Sequence, residues 1–60
     1  MKPTCKFNEN GDVLRLVWNV QRCMRENGLE NKQDELFNRV VAANSYEQAR
    51  EICEEYVELI

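Results

Sequence analysis

Apolar residues recur along this chain at helical spacing in three runs. The first is Val13, Val17, Val20 and Met24, with steps of four, three and four, the repeat that puts side chains on one face of an α-helix. Leu14 and Leu16 widen that stripe, and Trp18 and Cys23 flank it. Asp12 stands where an acidic side chain can accept the free N–H groups of a first turn. Arg22 and Arg25 stand near the opposite pole, and Gly28 is a stop, because glycine enters the left-handed conformation at little cost. The spacing predicts a first helix over about 12–27. Leu36, Phe37, Val40, Val41 and Ala43 form the second run. With Glu30 or Asn31 as cap and Asp34 and Glu35 early, it predicts a helix over about 31–43. Ser45 and Gln48 have the spacing of a capping box and open a third helix, predicted over 45–60. Its inner face reads Ala49, Ile52, Cys53, Tyr56, Val57 and Ile60, and its outer face Glu47, Arg50, Glu51, Glu54, Glu55 and Glu58.

Residues 1–11 read as a short N-terminal arm containing Pro3 and the turn dipeptide Asn10-Gly11. A hairpin competes for this region, with Cys5–Phe7 and Val13–Trp18 as strands, since Val and Trp favour sheets. The helix is preferred because the apolar pattern continues beyond Trp18 at helical spacing. Connections of two to four residues make successive helices antiparallel neighbours. The predicted fold is therefore all-α, a three-helix bundle preceded by an arm.

Length and composition narrow this further. Sixty residues permit one domain, and a core of this size supports a stability of only ~3–5 kcal/mol. Two glycines and one proline leave few breaks for a loop-rich fold. The net charge of −3 is unevenly spread. Residues 1–28 carry Lys2, Lys6, Arg15, Arg22 and Arg25 against Glu9, Asp12 and Glu26, while residues 45–60 carry Arg50 alone against five glutamates. An acidic chain is repelled by a phosphate backbone, so nucleic acid is a disfavoured partner, and an acidic third helix is a poor recognition helix. Three cysteines, an odd and widely spaced set, read as free thiols in a cytoplasmic protein rather than a disulfide framework. No segment has the ~20 apolar residues that span a bilayer, and the opening lacks the apolar core of an export signal.

Chemistry-bearing constellations are sparse. The chain has no histidine, which removes the commonest general base and metal ligand. The glutamate pairs Glu47/Glu51, Glu51/Glu55 and Glu54/Glu58 fall on a face predicted to be solvated, where carboxylates keep ordinary acidity. Cys23 and Cys53 lie on or beside apolar faces and act as small hydrophobes, and Cys5 sits near Lys2 and Lys6. No ligand spacing for zinc or calcium is present. The expectation is a non-enzymatic protein with no catalytic residue, metal or cofactor.

The last third carries two resemblances. Ser45-Tyr46-Glu47-Gln48-Ala49, with Cys53 and Tyr56 following, looks like the second half of a tetratricopeptide unit, although the Trp and Gly signature of the first half is missing. The pattern of residues 45–57, Ser-Tyr then Ala49, Ile52, Tyr56 and Val57, resembles short uncharacterised proteins of phages and mobile elements of Gram-positive bacteria. That resemblance implies a cytosolic accessory protein that acts by binding, and it transfers no catalytic residue.

What remains is surface. The first predicted helix is apolar on more than one side, and two neighbours can hide about half of a helix circumference. Leu14, Leu16 and Trp18 are therefore candidate interaction residues, for a protein partner or for self-association as a homodimer. Glu51, Glu54, Glu55 and Glu58 are a second candidate surface, by which an acidic helix would inhibit a basic, nucleic-acid-handling host protein. A small DNA-binding regulator ranks below both.

Overall fold

A computed structural model describes residues 2–7 and 12–60. In chain order the elements are β1 (Thr4–Cys5), α1 (Val13–Glu26), a 3-10 turn (Glu30–Lys32), α2 (Gln33–Val41), α3 (Tyr46–Cys53) and β2 (Glu58–Leu59). The protein is mostly helical, with three helices and a small parallel two-stranded sheet. The helical conformation of Val13–Trp18 excludes the competing hairpin. The predicted Asn10-Gly11 turn lies outside the described residues.

Both ends of α1 are fixed by the residues the sequence singles out. Asp12 is the N-cap, and its Oδ1 accepts the N–H of Leu14 at 2.9 Å and that of Arg15 at 3.5 Å. At the other end Gly28 has φ +77°, the left-handed region. The chain turn there lets Leu29 N–H donate to Met24 O at 2.7 Å and Gly28 N–H donate to Arg25 O at 3.3 Å. These two bonds satisfy carbonyls that a helix end would otherwise leave open.

The other helices are shorter than their patterns predict. α2 enters through the 3-10 turn and has no side-chain cap, so neither Glu30 nor Asn31 plays that role. α3 opens as expected at Ser45, whose Oγ accepts Gln48 N–H at 3.1 Å. The Gln48 side chain reaches back one residue further than a capping box requires and accepts Asn44 N–H at 2.6 Å. The predicted extent of this helix, 45–60, needs correction, because it ends at Cys53. Tighter turns follow, with Tyr56 N–H and Val57 N–H both donating to Cys53 O at 2.9 and 3.0 Å, and the chain then straightens.

The straightened tail pairs with the arm. β2 runs parallel to β1 with Thr4 opposite Glu58 and Cys5 opposite Leu59. Glu58 N–H donates to Pro3 O at 2.8 Å, Ile60 N–H to Cys5 O at 3.1 Å and Phe7 N–H to Ile60 O at 3.2 Å. A parallel pair needs a long crossover, and here the whole helical body provides it. The arm is thus part of the fold.

One core serves all of these elements. Leu16, Val17, Val20, Cys23 and Met24 enter it from α1, Leu36 and Val40 from α2, and Ala49 and Cys53 from α3. Cys5 of β1 and Val57 complete it. Ile60, predicted to face inward, is exposed, because in an extended tail Val57 and Leu59 point one way and Glu58 and Ile60 the other.

At Gly28 a Cβ would meet nothing within 4 Å, so its need for glycine is conformational rather than steric. Gly28→Ala is expected to lower stability by about 1 kcal/mol, the cost of holding an ordinary residue in the left-handed region. Urea unfolding followed by circular dichroism measures this.

Candidate interaction surface

With five residues of α1 turned inward, the remaining positions form an outward strip. At 3.6 residues per turn, Leu14, Trp18 and Arg25 project within about 40° of one another, with Arg15 and Arg22 along one flank. Leu14 is 59% exposed and Trp18 68% exposed. Arg15, Arg22 and Arg25 are exposed as well. Leu16 belongs elsewhere. It is fully buried at 0% exposure, so its candidacy as an interaction residue is corrected to a core role. The reason is rotational: Leu16, Val20 and Met24 are each four apart and lie on the side facing α2 and α3, opposite Leu14 and Trp18.

Polar side chains position this strip. Asn19 Nδ2 donates to Arg15 O at 2.8 Å, and Asn19 Oδ1 accepts from the Arg22 guanidinium at 3.0 Å. Arg15 lies 3.8 Å from an Asp12 carboxylate oxygen. Among the described residues, Arg22 and Arg25 have no carboxylate partner. A recess of about 280 Å³ beside the indole is lined by Trp18, Asn19, Gln21, Arg22 and Arg25. Its far wall is pinned by a reciprocal pair of bonds missed in the sequence: Gln21 Nε2 donates to Gln33 O at 3.3 Å and Gln33 Nε2 to Gln21 O at 2.9 Å. The sequence signal for that pair is weak, since two glutamines twelve apart satisfy no local periodicity.

The second candidate surface does not form one helical face. Glu51 lies on α3, Glu54 caps its C-terminus, Glu55 sits in the following turn and Glu58 is on β2. All four are exposed. Glu55 is engaged within the molecule: its two carboxylate oxygens accept from Arg39 at 2.8 and 2.9 Å, a bidentate pair between α2 and the tail. That pair holds the Glu55 carboxyl below its ordinary value and the Arg39 guanidinium above its own. Arg39 also donates to Tyr56 Oη at 3.1 Å and lies 5.7 Å from the centre of its ring. Tyr56 Oη in turn donates to a Glu35 carboxylate at 2.6 Å. Burial, and then that carboxylate, raise the Tyr56 phenol. This four-residue network braces the helix-to-strand change at Tyr56.

The three thiols are buried and free. Cys5 Sγ is 3.6 Å from Asn19 O and Cys23 Sγ is 3.5 Å from Thr4 O, so they pack β1 onto α1. Burial, reinforced by the neighbouring Cys23, pushes the Cys5 thiol up to about 12. Burial, then Glu54, pushes Cys53 up to about 11. Lys2 Nζ donates to the Glu54 backbone O at 2.6 Å. Among the described residues, Tyr46 Oη is buried without a hydrogen-bond partner.

Among the described residues no three His, Cys, Asp or Glu side chains converge on a metal-sized site, and no helix is long and apolar enough to cross a membrane. No family model, curated protein or solved structure matches the chain.

Buried neutral thiols make stability fall in alkali. The native thiols bind protons more tightly than the unfolded ones, so their contribution is complete below the unfolded value of ~8.5 and is lost as pH rises through about 11 and about 12. An aromatic disulfide reagent near pH 8 is expected to label the folded protein far more slowly than the urea-unfolded chain. Equal labelling rates would contradict the burial of all three.

Proposed function

We propose that this protein is a small, non-enzymatic interaction module, a three-helix bundle that binds a protein partner through the outward strip of α1. One observation carries the reading. Trp18 and Leu14 stand in solvent on a helix whose opposite face packs into the core, in a chain that already has a closed core. Tryptophan on a rigid helix brings large apolar area with little side-chain entropy to lose, which is why it is enriched at binding hot spots. The strip is pre-formed, so binding has no helix to order first.

Self-association of two α1 strips is the narrower form of the same reading, and two apolar side chains are a small part of the ~800 Å² per partner that a stable interface buries. Sedimentation equilibrium separates the two forms by whether the mass doubles at micromolar concentration.

Leu16→Ala and Trp18→Ala should behave oppositely. Removing the buried Leu16 side chain is expected to cost about 2–5 kcal/mol, enough to unfold most of the protein. Trp18→Ala is expected to change stability by less than about 0.5 kcal/mol, as for other exposed sites. Affinity capture from the native host should then recover a protein with the wild-type chain that the folded Leu14→Ala/Trp18→Ala chain does not retain. Identical captured sets for the two chains would refute the role of the strip.

A further inference from the structure

We infer that the α1 strip takes a short acidic segment of its partner, one carrying an apolar anchor for Trp18 and carboxylates for Arg22 and Arg25. This rests on the reading of α1 as the binding face and adds the chemistry of the occupant.

Charge complementarity selects the occupant. The indole and the two arginines wall a single recess, so an apolar group seated against Trp18 brings its neighbours to the guanidinium groups. Asn19 holds Arg22 at 3.0 Å, fixing one of those groups before anything binds. Neither Arg22 nor Arg25 is neutralised by a carboxylate among the described residues, in contrast to Arg39, which is spent on Glu55. Arginine is the side chain suited to this task, since its planar fork matches a carboxylate with two parallel bonds.

The same features weigh against other occupants. A second copy docked through α1 would bury two exposed apolar side chains from each strip, a small part of the ~800 Å² per partner of a stable interface. A single nucleic-acid strand is held by a basic groove that tracks successive phosphates beside several stacking aromatics, whereas this recess offers one indole and two arginines. A short acidic peptide meets the local positive charge and matches the limited area of the strip.

Trp18 is the sole tryptophan, so its emission reports on the strip alone. The full chain is titrated with three probes: a twelve-residue peptide of glutamates around two leucines and a phenylalanine, the same peptide with every glutamate replaced by glutamine, and a twelve-nucleotide oligothymidylate. The acidic peptide is expected to shift Trp18 emission to the blue, to bind at least about tenfold more tightly than the neutral one, and to weaken as salt rises. Arg22→Gln/Arg25→Gln should remove that preference while circular dichroism shows an unchanged helical spectrum. Equal binding of acidic and neutral peptides overturns the charge assignment and leaves the α1 reading standing. Preference for the oligonucleotide overturns it in favour of nucleic acid. No change in Trp18 emission with any probe also overturns it, and the α1 reading is then decided separately by the capture experiment with Leu14→Ala/Trp18→Ala.

Discussion

The inward face of α1 is the constraint on which everything else in this molecule depends. α1 is in contact with α2, with α3, with β1 and with the 3-10 turn. A sixty-residue chain has no second core to fall back on, and five of the eleven buried hydrophobic residues among those described come from this one helix. Leu16, Val20 and Met24 in particular are fully buried, so each neighbouring element is positioned by what it places against them. That commitment fixes the rotation of α1 about its own axis. Rotation in turn decides that Leu14 and Trp18 face water, because a helix that buries Leu16 and Val20 has no freedom to turn Trp18 inward as well.

Much of this was legible because the signals are local. Asp12, Gly28 and Ser45 act within one turn of where they stand in sequence, and each does in the structure what its chemistry predicts. Helical periodicity located the cores of α1, α2 and α3 for the same reason. The surplus of apolar residues on α1 was also legible, but not its division. Val13, Leu14, Leu16 and Trp18 all look alike to a pattern centred on Val13–Val17–Val20–Met24. Only the positions of α2 and α3 show that the buried arc extends from Val17 and Val20 round to Leu16 and Cys23 and stops short of Leu14 and Trp18.

The parallel ladder between Thr4–Cys5 and Glu58–Leu59 was not legible, and for a physical reason. Each strand has two residues and no independent stability, and its partner is more than fifty residues away. Read alone, Tyr56–Ile60 continues the spacing of α3, since Tyr56, Val57 and Ile60 fit a helical face as well as a strand. What breaks the helix is cooperation at a distance. Cys5 and Val57 both reach the core when the tail straightens, and the backbone groups released from helix find partners at Pro3, Cys5 and Phe7. The Arg39–Glu55 pair and the Tyr56–Glu35 bond then hold the departure point. A weak alternation, Val57 and Leu59 against Glu58 and Ile60, is the one trace of this in the sequence.

The break at Cys53 also bears on which surface carries function. A straight helix to residue 60 would have gathered Glu51, Glu54, Glu55 and Glu58 into one acidic ridge. The actual path scatters them over a helix, its cap, a turn and a strand, and assigns Glu55 an internal partner. Of the four, Glu55 is engaged within the molecule, and Glu51, Glu54 and Glu58 are exposed on separate elements. The α1 strip stays together on one helix face. Trp18 and Leu14 contribute no burial to the core, and polar residues at both positions would keep the helix and improve solubility. Two large apolar side chains beside a recess walled by arginines are therefore a local conflict that folding does not require. Phe37, Val41 and Ile60 are exposed as well, and the binding surface is to be sought first at α1, where the indole borders a recess walled by Arg22 and Arg25.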